Sequence, residues 1–195
     1  MLIQVHLALV MASLAAWAAE RPTIGLLTEF PTTTSAELRN QFRHEAEKAL
    51  ISAGVDLAWR DLQENTSQET FDRLVVIRFK GACTPPAAPA RERSAPLGLT
   101  HVSNERVLPF VEIDCARVIE AMNAGDWPSA IGRALGRVAA HEIFHVLTAS
   151  GAHDTEGLMR PAFDRRVLLC QSAMSFSPDA IRRLRISLGI ANISD

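Results

Sequence analysis

Ser129-Ala-Ile-Gly-Arg-Ala-Leu-Gly-Arg-Val-Ala-Ala-His141-Glu142-Ile-Phe-His145-Val-Leu-Thr-Ala149 is the stretch on which the reading of this chain turns. Its apolar residues recur at helical intervals, with Ile131, Leu135, Val138 and Val146 on one stripe and His141 and His145 at the border of that stripe. Gly132, Gly136 and Ala140 form a second stripe of small residues at i, i+4 spacing. On a surface helix such glycines only lose stability, so this stripe predicts close packing against another element. Residues four apart share one helical face, and His141 and His145 can therefore aim imidazole nitrogens at one point.

Zinc accepts neutral imidazole at about 2.0–2.1 Å, and catalytic sites use three protein ligands with an open fourth position. Two histidines leave the set one short, and His153 lies eight residues beyond His145. Gly151 is expected to end the helix near Ser150 and turn the chain back toward the metal. Asp154 and Glu156 are rival third ligands, and Asp164 and Asp179 weaker ones. Glu142, beside the first ligand, is the candidate general base, taking a proton from a metal-activated water and passing it to the leaving group. A pair of packed core histidines is the plain alternative.

Outward from this helix, the chain reads as one α+β domain of 20–195, long enough to bury a core. Thr23–Glu29 reads as a first strand. A helix follows, with Thr34 and Glu37 in capping-box spacing, Leu38, Phe42, Ala46, Ala49, Leu50 and Ala53 at helical intervals, and Gly54 at its end. Residues 55–60, 71–80 and 107–113 read as further strands, giving a small twisted mixed sheet of about four strands. Pro109 lacks a backbone donor, which predicts an edge position for the 107–113 strand beside the active-site helix, where it could take up an extended peptide. The proline-rich 84–96 is expected to be a surface loop. A last helix starts with Ser177 as cap and Pro178 in the first turn.

Residues 1–19 are apolar and end in Ala16-Trp17-Ala18, the small-x-small pattern of a signal-peptidase site, so they read as a secretory signal. No Lys or Arg precedes the apolar run, and an uncleaved membrane anchor is the alternative, the one route to a membrane partner. Export makes disulfides available. Cys83 and Cys115 each follow a strand, so that pair is preferred and Cys170 is left over. A net charge of −2 without a Lys/Arg cluster argues against nucleic acid, and Arg182-Arg183-Leu184-Arg185 is expected to be the exposed face of the last helix.

The order strand, helix, strand, strand, edge strand, then a His-Glu-x-x-His helix with a His and a Met beyond it, resembles a small metzincin-type zinc metallopeptidase. Metzincins follow the pattern HExxHxxGxxH, with a later Met-turn beneath the metal. His141, Glu142 and His145 match directly. Thr148 stands where the pattern has Gly, His153 comes two residues late, and Gly157-Leu158-Met159 comes sooner than a typical Met-turn. The chain is similar still more closely to small exported bacterial metallopeptidase-like proteins that carry His and Gly-Ile/Leu-Met after this motif. The motif covers about 129–160, and across 23–113 only element order is shared. The resemblance implies a zincin-like fold, Zn²⁺ held by His141, His145 and His153, a floor at Met159, and a secreted or periplasmic endopeptidase acting on peptide or protein as a monomer. A thermolysin-like third ligand is disfavoured because no glutamate follows Glu156. Tyrosine is absent, which leaves Arg160, His101 or the metal to stabilise an oxyanion. A catalytically silent zinc-stabilised binding domain and a zinc hydrolase of a non-peptide amide are the alternative functions.

Overall fold

The computed structural model describes residues 21–64, 68–84, 96–123 and 127–190. The expected signal at 1–19 and most of the expected 84–96 loop lie outside the described residues. Along the chain run β1 (Thr23–Glu29), α1 (Ala36–Leu50), β2 (Asp56–Asp61), β3 (Arg73–Lys80), β4 (Gly98–Ser103) and β5 (Arg106–Asp114). They are followed by α2 (Cys115–Met122), α3 (Pro128–Thr148), α4 (Arg165–Leu169) and α5 (Pro178–Ser187). The architecture is α+β, with one mixed sheet of five strands in the order β2-β1-β3-β5-β4. All pairs are parallel except β4 with β5.

The extra strand is β4, and it corrects the edge assignment. The 107–113 segment lies inside the sheet, between β3 and β4. Pro109 is tolerated there because the β4–β5 ladder shifts register between Thr100 and Val102, and pairing with β3 begins only at Phe110. No ladder hydrogen bond is asked of its nitrogen. The β4–β5 connection turns through Asn104 and Glu105, both at positive φ (48° and 62°). That is the backbone of a tight hairpin turn, whose usual sequence signal ends in glycine. Glu105 in that place hides the hairpin from a sequence reading.

α1 and α3 pack together over the sheet, and their contact explains the small-residue stripe. A Cβ on Gly132 would stand 2.5 Å from the Leu38 carbonyl oxygen, and one on Gly136 2.7 Å from that of Phe42. The helices meet backbone to backbone at these two points. α3 is buried on nearly every side, including the charged Arg137 at 1% exposure. Arg137 donates to Glu45 of α1 at 2.7 Å, to the carbonyls of Val167 and Leu168, and to that of Ser172 at 2.9 Å. One guanidinium thus ties α3 to α1 and to the segment around α4.

The start of α1 moves by one residue from the capping-box expectation. Ser35, not Thr34, accepts from the Leu38 amide, and the buried Thr34 hydroxyl has no partner among the described residues. Gly54 ends the first helical segment at φ 82°, and Ser177 caps α5 by accepting from Ala180, both as expected. Cys83 and Cys115 are joined by a disulfide, while Cys170 is free. The pairing follows from the sheet, since β3 and β5 are parallel neighbours in register at Lys80 and Asp114, just before the two cysteines. No helix among the described residues is long and apolar enough to cross a membrane.

Candidate metal centre

α3 carries His141 and His145 one turn apart, and the loop after it returns His153. The Nε2 atoms of His145 and His153 lie 3.0 and 3.2 Å from that of His141. Ligands around a tetrahedral zinc at about 2.05 Å stand roughly 3.3 Å apart, so the separations match a shared ion. Tautomers sharpen the match. His141 Nδ1 lies 2.7 Å from the Leu158 carbonyl, and His145 Nδ1 lies 2.6 Å from that of Ser150. A carbonyl only accepts, so each Nδ1 carries the proton and each Nε2 presents a lone pair to the other. Lone pairs facing at 3.0 Å repel unless a cation lies between them. The three histidines can hold one metal ion.

Burial drives the His141 imidazole down to about 4, against the raising effect of its bond to Leu158. It is therefore neutral at ordinary pH, as a metal ligand would have to be. His153, though exposed, is also lowered, first by burial and then by the nearby His145, with Asp154 opposing.

The turn that returns His153 differs from expectation. Ala149, at φ 48°, takes the left-handed position, and Gly151 is not at positive φ. The Ala149 amide bonds to the Val146 carbonyl and the Ser150 amide to that of His145, both at 3.2 Å, which is a Schellman ending. Relative to HExxHxxGxxH the turn residue comes one position later, and one more residue separates it from His153. Those two single-residue delays account for the late third histidine. An alanine held left-handed is strained, so Ala149→Gly is expected to stabilise the protein by about 0.5–1 kcal/mol. Denaturant unfolding should show a raised midpoint at unchanged slope, and an unchanged midpoint would contradict the strain.

Three of the four rival carboxylates are engaged elsewhere. Ser177 and Arg183 each donate to an Asp154 carboxylate oxygen at 2.7 Å. Burial alone would raise this carboxyl, but the Ser177 and Arg183 bonds outweigh it and hold it below its usual range. Asp164 caps α4 through the Val167 amide, and Asp179 pairs with Arg182. Glu156 lines a shallow polar depression beside His153 and is not among the converging ligands. The sequence reading missed Arg183. Expected on an exposed face, it anchors Asp154, next to His153, and lies over the Phe144 ring at 5.5 Å.

Glu142 is buried at 8% exposure and faces β4. The Thr100 hydroxyl is 2.7 Å from Glu142 Oε2 and 3.1 Å from the Glu142 carbonyl. Burial raises the Glu142 carboxyl above its usual range, with the Thr100 bond pulling the other way. A carboxylate so placed is a stronger base than one in water. Gly98 clears the space beside it, since a Cβ there would stand 2.8 Å from Glu142 Cγ. Thr100 and Gly98 belong to the unforeseen strand, so neither was legible before the hairpin was known.

Glu142 and His141 open onto a cleft of about 360 Å³ whose lining includes Arg160 and Phe163. His101 is not part of it and lies in a separate depression with Leu108 and Phe110. Of the two oxyanion candidates, the fold brings only Arg160 to the site. Gly157-Leu158-Met159 forms a tight 3₁₀ turn with Gly157 at φ 65°. It sets the Leu158 carbonyl against His141, and Met159 is fully buried. No family model matches the chain, and no curated protein is significantly similar to it.

Proposed function

We propose that this protein is an exported, metzincin-like zinc metalloendopeptidase, with His141, His145 and His153 as ligands and Glu142 as general base. The observation that carries this reading is a pair of features in one place: three imidazole nitrogens converging on one point, and a buried carboxylate adjacent to them. Zinc held there supplies Lewis acidity and makes water acidic enough to ionise near neutral pH. Glu142 accepts the proton from the attacking water and returns it to the leaving amine, while Thr100 fixes which carboxylate oxygen does so. The edge strand β4, one side of which pairs with no other strand among the described residues, suits an extended peptide substrate. The Cys83–Cys115 disulfide agrees with an oxidising compartment.

A silent zinc-stabilised domain needs no buried carboxylate beside its ligands, and burying one without a task costs stability. That favours hydrolysis. A non-peptide amide as substrate would use the same chemistry.

Metal analysis of the purified chain, alongside cleavage of a peptide library with and without chelator, tests the proposal. One zinc per chain and chelator-sensitive cleavage are expected. His153→Ala should weaken zinc by more than the roughly 10–100-fold typical of an outer-shell change, because it removes a ligand. Unchanged zinc affinity in that variant would eliminate the three-histidine centre.

A further inference from the structure

The cleft beside His141 and Glu142 has apolar walls from Leu97, Ala121, Val138 and Phe163, and among its described lining residues Arg160 is the one arginine or lysine. The Phe163 ring stands 5.5 Å from that of His141, which closes the apolar side near the ligands. Arg160 is held rather than free to swing. Its backbone is extended at φ −65°, ψ 147°, as Pro161 after it requires, and its Nε donates to the Gly157 carbonyl at 3.3 Å. The two terminal nitrogens have no partner among the described residues. Glu142, the one carboxylate among the described lining residues, is engaged by Thr100. A half-buried guanidinium whose two terminal, coplanar nitrogens face a cleft of mixed polar and apolar lining matches the forked geometry of a carboxylate.

We infer that Arg160 is a specificity residue, selecting substrates that place a carboxylate in this cleft next to the scissile bond. This rests on the peptide-hydrolase reading of the site. The carboxylate can be an acidic side chain or a free carboxy terminus, which share the chemistry and differ in where it sits.

Binding measured without turnover separates the two readings. Zinc-loaded Glu142→Gln protein is titrated calorimetrically with four peptides, identical except for a central Glu or Gln and a free or amidated carboxy terminus. At least about tenfold tighter binding is expected for a peptide carrying the selected carboxylate over its amide counterpart. A difference that persists between amidated peptides marks the side chain, and one confined to the free terminus marks the terminus. Adding Arg160→Gln should erase the preference, whereas Arg160→Lys should keep part of it, since lysine offers charge without the fork. Equal binding of all four peptides, binding of none, or a preference that survives Arg160→Gln would overturn the inference. An absence of cleavage by the wild-type zinc protein would instead count against the hydrolase reading and leave this binding result standing.

Discussion

Glu142→Gln should lower peptide hydrolysis by about 10²–10⁴-fold while one zinc per chain is retained. The substitution preserves shape, and the glutamine carbonyl can still accept from the Thr100 hydroxyl that lies 2.7 Å from Glu142 Oε2. Only the ability to take up a proton is removed. The three imidazoles keep their own anchors at Leu158 and Ser150 and the return loop after Ala149, none of which involves Glu142. Turnover number on the best library peptide and zinc stoichiometry, measured on the same preparation, check the expectation. Activity within a few-fold of wild type would remove Glu142 from the mechanism, and lost zinc would make it a structural residue.

The second large effect concerns folding. Arg137→Met should cost about 3–5 kcal/mol, because it strands the Glu45 carboxylate in the interior. Both side chains are buried, at 1% and 6% exposure, and Arg137 also serves carbonyls of Val167, Leu168 and Ser172. At roughly 2–4 °C per kcal/mol for a chain of this size, the melting temperature should fall by about 6–20 °C. Adding Glu45→Gln should recover part of the loss by removing the stranded charge. A loss below about 1 kcal/mol, or no recovery in the double variant, would show that the pair is dispensable.

These two residues differ in how far they could be foreseen. The placement of Glu142 between two histidines of one helical face was legible because it lies in local spacing: residues one helical turn apart share a face wherever the helix sits. Arg137 lies four residues before His141 on the same helix, yet nothing nearby marks it as buried. Its partners are 92, 30, 31 and 35 residues away. Gly132 and Gly136 fall between these cases, since their spacing announced a close approach and only the fold named α1 as the partner.

The larger omissions have physical causes of the same kind. β4 is short and exposed along most of its length, and its turn lacks the usual glycine, so periodicity and turn chemistry were both weak. α2 is a helix of eight residues between Asp114, which accepts from the Arg117 amide, and the left-handed Asn123. Those caps were readable in principle, but the segment is too short for a periodic signal. Gly151 drew the helix ending because glycine favours the left-handed region. Ala149 took it because the Schellman bonds to His145 and Val146 outweigh a strain of about 1–2 kcal/mol.

By itself the sequence determined the helix that carries His141, Glu142 and His145, the α+β class, the caps at Gly54 and Ser177, and the favoured cysteine pair. All of these depend on spacing within one element or on the order of elements. The tertiary structure decided that His153 comes within reach of His141 and His145, while Asp154 is engaged by Ser177 and Arg183. It also decided that Thr100 orients Glu142, and that Arg160 rather than His101 faces the cleft. The reason is distance along the chain: such partners are chosen by sheet register and loop closure, and no local pattern of residues encodes either.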